Sequence, residues 1–152
     1  MTQEEKIEGR KNWRFRWLSL IFEFSHLEYQ KGLWFDKKYP DEIGWFGEDI
    51  CQYFDDLYLD DNYKYQLEDL TISNQEYLII KEFHFELDKF VEMTNKLGDE
   101  FNENDILENK DWIKLCGLGR IAWDKLKLVI SNPSEKEHMD GMEQNYLEEK
   151  SR

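Results

Sequence analysis

The chain is poor in cysteine, proline, histidine and basic residues, and each scarcity narrows what it can be. Two cysteines among 152 residues, Cys51 and Cys116, stand far apart with no CxxC or Cys/His spacing, which leaves no material for a disulfide framework or a structural zinc site and suits a reducing cytoplasm. Two prolines and eight glycines leave long stretches free to be helical. Twenty Lys and Arg against thirty-four Asp and Glu give a net charge of -14, which disfavours both a phosphate backbone and an anionic membrane as partner. No window approaches eighteen uninterrupted apolar residues, and the opening MTQEEKIEGRKNW has no apolar run of the signal-peptide kind, so a soluble cytoplasmic protein is expected.

Bulky apolar material is abundant by contrast. Aromatics make up 16% of the chain, including six Trp, enough to offset chain entropy in one domain of this length. Thr2 and Glu5 form a capping-box pair that opens a helical pattern running to about Leu33. Trp13, Trp17, Leu20, Phe24 and Leu27 line one side of it, and Phe15, Leu18, Phe22, Tyr29 and Leu33 the other. A helix apolar on two sides belongs at the centre of a bundle. Residues 34–45, with Pro40 and Gly44, read as a loop.

Between Phe46 and Leu59 the apolar residues Phe46, Ile50, Tyr53, Phe54 and Leu57 gather on one side of a helical wheel, with Glu48, Asp49, Asp55 and Asp56 opposite. A short amphipathic helix with an acidic outer face follows. Residues 60–72 are irregular, with room for one helical turn, or a small sheet. Ser73 and Glu76 form a second capping-box pair, and Ile80, Phe83, His84, Leu87, Phe90, Val91 and Thr94 share one helical stripe up to a stop at Gly98. A last pattern, Asp105 to Ile130, carries Trp112, Leu115, Cys116, Ala122, Trp123, Leu126 and Ile130 on a broad face. Gly117 and Gly119 lie within it, and they mark either a close approach by a neighbouring helix or a break into two helices. Asn132 and Pro133 end the pattern. The expected fold is all-α, a single-domain bundle of four to five helices around a long N-terminal helix, with residues 1–133 as the helical domain and 134–152 as a polar tail.

Motifs for catalysis or cofactors are missing. Asp55, Asp56, Asp60, Asp61 and Asn62 lack the offsets, central Gly and closing Glu of a calcium loop. His84-Phe85-Glu86 has the H-x-E of zinc deaminases without the accompanying P-C-x-x-C. There is no G-x-S-x-G and no phosphate loop. No catalytic residue, metal or cofactor is assigned on this reading. Two E-x-x-H matches, Glu23 to His26 and Glu135 to His138, keep open the alternative of a metal-binding helical-bundle enzyme, because that spacing on bundle helices builds di-iron sites.

The strongest signal is the charge density of residues 36–69. Eleven Asp/Glu face three Lys there, interleaved with Trp45, Phe46, Tyr53, Phe54, Tyr58, Tyr63 and Tyr65. Such a field attracts a basic partner and accelerates encounter with it. Within it EDICQYFDDLYLDD, together with the later DWIKLCGLGRIAWDKLK, resembles the small acidic immunity proteins that neutralise bacterial contact-dependent or polymorphic toxins. Helical immunity proteins of nuclease colicins also set acids beside paired tyrosines, whereas here Tyr53 is followed by Phe54. The resemblance implies direct, tight binding of one cognate toxin domain with a basic surface. Glu48, Asp49, Asp55, Asp56, Asp60 and Asp61 are the expected charged contacts, and Tyr53, Tyr58 and Tyr63 the expected anchors. An acidic adaptor or DNA mimic is the remaining alternative.

Overall fold

A computed structural model describes residues 2–147, and among them every regular element is helical. The long helices are α1 (Gln3–Ser25), α5 (Asn74–Leu97), α6 (Lys110–Val129) and α7 (Pro133–Tyr146). Short ones, α2 (Leu27–Gln30), α3 (Phe46–Cys51) and α4 (Lys64–Glu68), occupy the stretch between α1 and α5. The total of seven exceeds the expected four to five because residues 27–72 are broken into single turns. Wide π turns at Lys31–Phe35 and Gln52–Asp56 and left-handed backbone at Lys37, Tyr58, Asn62, Tyr63 and Leu70 do the breaking. None of the described residues forms a strand, so residues 60–72 hold no small sheet. No helix among them is long and apolar enough to cross a membrane.

Local signals account for most helix ends. Thr2 Oγ1 accepts from Glu5 N, and at α5 both halves of the capping box form: Ser73 Oγ accepts from Glu76 N, and the Glu76 carboxylate accepts from Ser73 N. Gly98, at φ 54°, ends α5 in a conformation that a side chain would resist. The N-terminal helix stops short of Leu33, because His26 adopts extended backbone and folds its ring flat against Phe22, the centroids 4.2 Å apart.

One core joins all of these elements, with α1 packed by α6 and α7, α5 lying on α6 and meeting α1 through Phe83 and Phe24. Trp17, Leu18, Ile21, Phe22 and Phe24 are fully enclosed, which is what a helix apolar on two sides requires. α6 runs unbroken through Gly117 and Gly119. A Cβ added at Gly119 would lie 3.1 Å from Phe83 and 3.2 Å from the Ser25 Cβ, so this glycine lets α6 lie close against both α5 and the end of α1.

Over residues 134–146 a helix stands where a polar tail was expected, and residues 148–152 of that tail lie outside the described residues. Pro133 begins a helix as its first residue, capped by Asn132 Oδ1, which accepts from Ser134 N and Glu135 N. Met139 and Met142 are buried in the core, and Tyr146 packs at its edge against Tyr29, 4.5 Å between ring centroids. Polar contacts add to these. Arg14 of α1 donates to both Glu135 oxygens and to both Glu76 oxygens, with a further bond to the Thr71 carbonyl. Glu143 accepts from Trp123 Nε1 and from Lys127.

Candidate functional site

The site begins with a chain of hydrogen bonds inside the fold. Trp17 Nε1 donates to Tyr63 Oη at 2.8 Å, Tyr63 and Tyr53 hydroxyls meet at 2.7 Å, Tyr53 Oη lies 2.9 Å from His84 Nδ1, and His84 Nε2 lies 3.1 Å from Asn62 Oδ1. An indole can only donate, so one assignment satisfies every member: Tyr63 donates to Tyr53, Tyr53 to Nδ1, and Nε2–H to Asn62. Burial pushes the His84 pKa down to about 4 and holds both tyrosines above their ordinary range. This network ties the 53–63 segment to α1 and α5, and it fixes the backbone that carries the acidic surface.

His84 makes acid stability a readout of the network. Below pH 6.5 the unfolded imidazole takes a proton that the folded one refuses until about 4. Stability from this group is therefore complete above 6.5 and is lost as pH falls toward 4, by on the order of 3 kcal/mol. The His84 ring signals in an NMR titration should move near pH 4; a midpoint near 6.5 would contradict a buried, neutral His84.

Nine residues were expected to face a partner, and the structure divides them. Tyr53 and Tyr63 are fully buried, and Asp49 is 2% exposed. For Asp49 the reason is register: three residues after Phe46 and four before Tyr53, it falls on the inward stripe of its helix. Tyr63 follows Asn62 in left-handed backbone at φ 68°, and its hydroxyl ends on Trp17 and Tyr53. Tyr53 is held by Phe24, Tyr63 and His84. Buried in this way, these three present no exposed surface to a partner. Glu48, Asp55, Asp56, Tyr58, Asp60 and Asp61 lie on the surface. Asp56 has Arg16 at 3.7 Å, an exposed pair of little consequence.

Three of the surface residues, Tyr58, Asp60 and Asp61, share a groove of about 860 Å³ between the first half of α1 and residues 57–71. Tyr65 and Asp69 stand on the same wall, Trp13 and Gln66 are part of the lining, and Lys6 and Arg10 belong to the α1 wall. Tyr58 is 68% and Tyr65 47% exposed. Trp13 Nε1 and Gln66 Nε2 both donate to the Leu57 carbonyl, and Gln66 Nε2 also reaches the Tyr58 carbonyl at 3.1 Å. Trp13 and Gln66 escape a linear reading because each sits in another element's pattern, Trp13 on the apolar face of α1 and Gln66 in a five-residue helix.

Elsewhere the titratable groups are committed to packing. Glu23, raised to about 7 by burial against the bond from Trp34 Nε1, points at that indole. His26 Nδ1 instead lies 2.9 Å from Ser25 Oγ and from the Phe22 carbonyl, so the E-x-x-H pair does not converge. Glu135 is held by Arg14, and His138 Nε2 lies 2.9 Å from Ser19 Oγ. Cys116 is pushed up to about 12 by burial, with Gln30 Nε2 at 3.5 Å. Among the described residues no three His, Cys, Asp or Glu come together as a metal site. Comparison of the chain with protein-family models, with curated proteins and with solved structures found no match.

Proposed function

We propose that this chain is a non-enzymatic binding protein that covers a basic surface on a protein partner, in the manner of a cytoplasmic immunity protein neutralising a toxin domain. The observation that carries this reading is the exposed strip Asp55, Asp56, Tyr58, Asp60 and Asp61, of which Tyr58, Asp60 and Asp61 share a groove with Tyr65 and Asp69. Exposed tyrosines add contact area at low entropy cost, and exposed carboxylates add electrostatic match and faster encounter. The buried network beneath holds the strip in shape, so little ordering cost falls on binding. The perturbed groups named above are engaged inside the protein and not in the groove, which favours recognition over catalysis.

Co-expression with the domain encoded in the neighbouring reading frame tests the proposal, using growth rescue and isolation of a complex as readouts. Replacing Asp55 and Asp56 together by Ala should weaken the complex by about 2 kcal/mol or more where a buried partner charge loses its counterpart. Unchanged affinity would remove the π turn Gln52–Asp56 from the interface. Absence of both rescue and complex would argue against an immunity role toward that domain.

A further inference from the structure

We propose that the outer face of α5 and α6 docks a second copy of this chain, in a two-fold dimer where α5 of each copy lies over α6 of the other and Phe85 seats against Gly117. This goes beyond the binding role above and uses none of the residues of the acidic strip. Gly117 lies in the middle of α6, exposed, and a Cβ added there would meet nothing within 4 Å. Packing within the chain thus accounts for Gly119 and not for Gly117, although a glycine at either position weakens the helix. The apolar residues nearby are uncovered as well. Ile121, one turn on, is 54% exposed and Leu128 85%, while on α5 Leu78 is 64% and Phe85 39% exposed. A spacing of seven puts Ile121 and Leu128 on one side of α6, and Leu78 and Phe85 on one side of α5. With Phe83 against Gly119 and Phe90 against Trp112, the two helices run antiparallel, so Phe85 stands level with Gly117 and Leu78 level with a point between Ile121 and Leu128. A groove of about 330 Å³ runs between them, with Phe90, Met93, Leu115 and Leu118 in its lining. Uncovered apolar surface that is contiguous in this way marks an association site.

Charge selects the occupant. α5 holds five Asp and Glu against three Lys, whereas α6 holds five Lys and Arg against two Asp. Glu82 and Glu86 line the groove from α5 and Lys114 from α6, and Lys125, four residues after Ile121, continues the basic side. The face is therefore acidic on one helix, basic on the next and nearly balanced overall, in a chain of net charge -14. A second copy meets less like-charge repulsion here than it would over the acidic residues 36–69. A two-fold axis running along the groove sets α5 over α6 twice, acid on base each time. That operation keeps every residue at its own level, so Phe85 of one copy arrives over Gly117 of the other, and Leu78 arrives between Ile121 and Leu128. An axis across the helices would stack α5 on α5 and α6 on α6, like charge on like charge. Glu86 meets Lys89 of its own helix at 3.2 Å, an exposed pair that costs little to exchange.

Sedimentation of the full chain alone, over roughly 1 μM to 1 mM so as to span weak and tight affinities, tests the dimer without any toxin, and its outcome is separate from that of the immunity role. The chain should pass from monomer to dimer as concentration rises. Lys114→Glu with Lys125→Glu should weaken association by about tenfold or more, and Glu82→Lys with Glu86→Lys should do the same. The second variant lowers the net charge, so a dimer governed by overall repulsion alone would tighten instead. An equimolar mixture of the two variants should recover the affinity as a mixed dimer, because both contacts of α5 over α6 again join opposite charges. Gly117→Gln should raise the melting temperature of the monomer and yet weaken the dimer, opposite signs that a glycine without a partner would not give. A chain that stays monomeric to the highest concentration, a dimer indifferent to the charge variants, or a mixture that fails to recover would each overturn the proposal.

Discussion

Replacing Arg14 by Met should destabilise the protein by about 3–5 kcal/mol, because two buried carboxylates would lose their counter-charge together. Glu76 and Glu135 side chains are 9% and 7% exposed, and Arg14 meets them at 2.7 and 2.8 Å. Burial alone would raise the pKa of Glu76, but the bonds from Arg14 and Ser73 outweigh it and hold the group below its ordinary value. Stability from Glu76 is thus present above its ordinary pKa and fades as pH falls through the lowered one. In the variant this sign reverses, since an unpaired buried carboxylate prefers its proton, and the deficit should shrink on acidification. For a chain of this length the loss corresponds to roughly 6–20 °C in melting temperature. Adding Glu76→Gln and Glu135→Gln to Arg14→Met should recover most of it, as neutral groups cost less to bury unpaired. Urea unfolding at two pH values checks both points. A loss below about 1 kcal/mol would place this cluster among ordinary surface ion pairs.

The second large effect is expected at Trp112. Its ring is fully buried and lies 5.2 Å from Phe90, 5.3 Å from Phe46, and 6.2 Å from both Phe24 and Trp34. It thereby joins α1, α3, α5, α6 and the π turn after α2. Trp112→Ala should cost about 3–5 kcal/mol through lost burial and the cavity left behind. Trp112→Phe separates packing from polarity: the indole donates to Gln30 Oε1 at 2.9 Å, and a phenyl ring would leave that buried oxygen unpaired, for about 1–3 kcal/mol. Near-ultraviolet dichroism and urea midpoints give the comparison. Equal losses for Ala and Phe would mean that the hydrogen bond, and not the ring, dominates.

Much of the architecture is legible in the sequence because it rests on local rules. Thr2, Ser73 with Glu76, and Gly98 mark helix ends by chemistry confined to one turn, and the two-sided pattern of α1 states its central place. What stays hidden depends on partners distant in the chain. The helix from Pro133 is mostly polar, and part of its attachment comes from Arg14 and Trp123, 121 and 20 residues from the groups they hold. Pro133 itself reads equally as a stop for α6 and a start for the next helix, and only the Asn132 cap decides between them. Within the candidate site, the identity of the acids and of Tyr58 could be read directly. The inward turn of Tyr63 could not, since left-handed backbone at Asn62 and Tyr63 sets it, whereas Tyr53 already stood on the apolar side of its pattern and the spacing of Asp49 from Phe46 and Tyr53 turns it inward.

The Arg14 cluster also constrains how this chain can be made. Arg14 leaves the ribosome early, and Glu135 is polymerised 121 residues later, roughly 6–24 s at ordinary rates of synthesis. For most of that interval α1 has two apolar sides and neither α6 nor α7 to cover them. The nascent chain therefore holds this helix uncovered until residues 110–146 have followed it, and a chaperone that shelters exposed apolar segments would suit that wait.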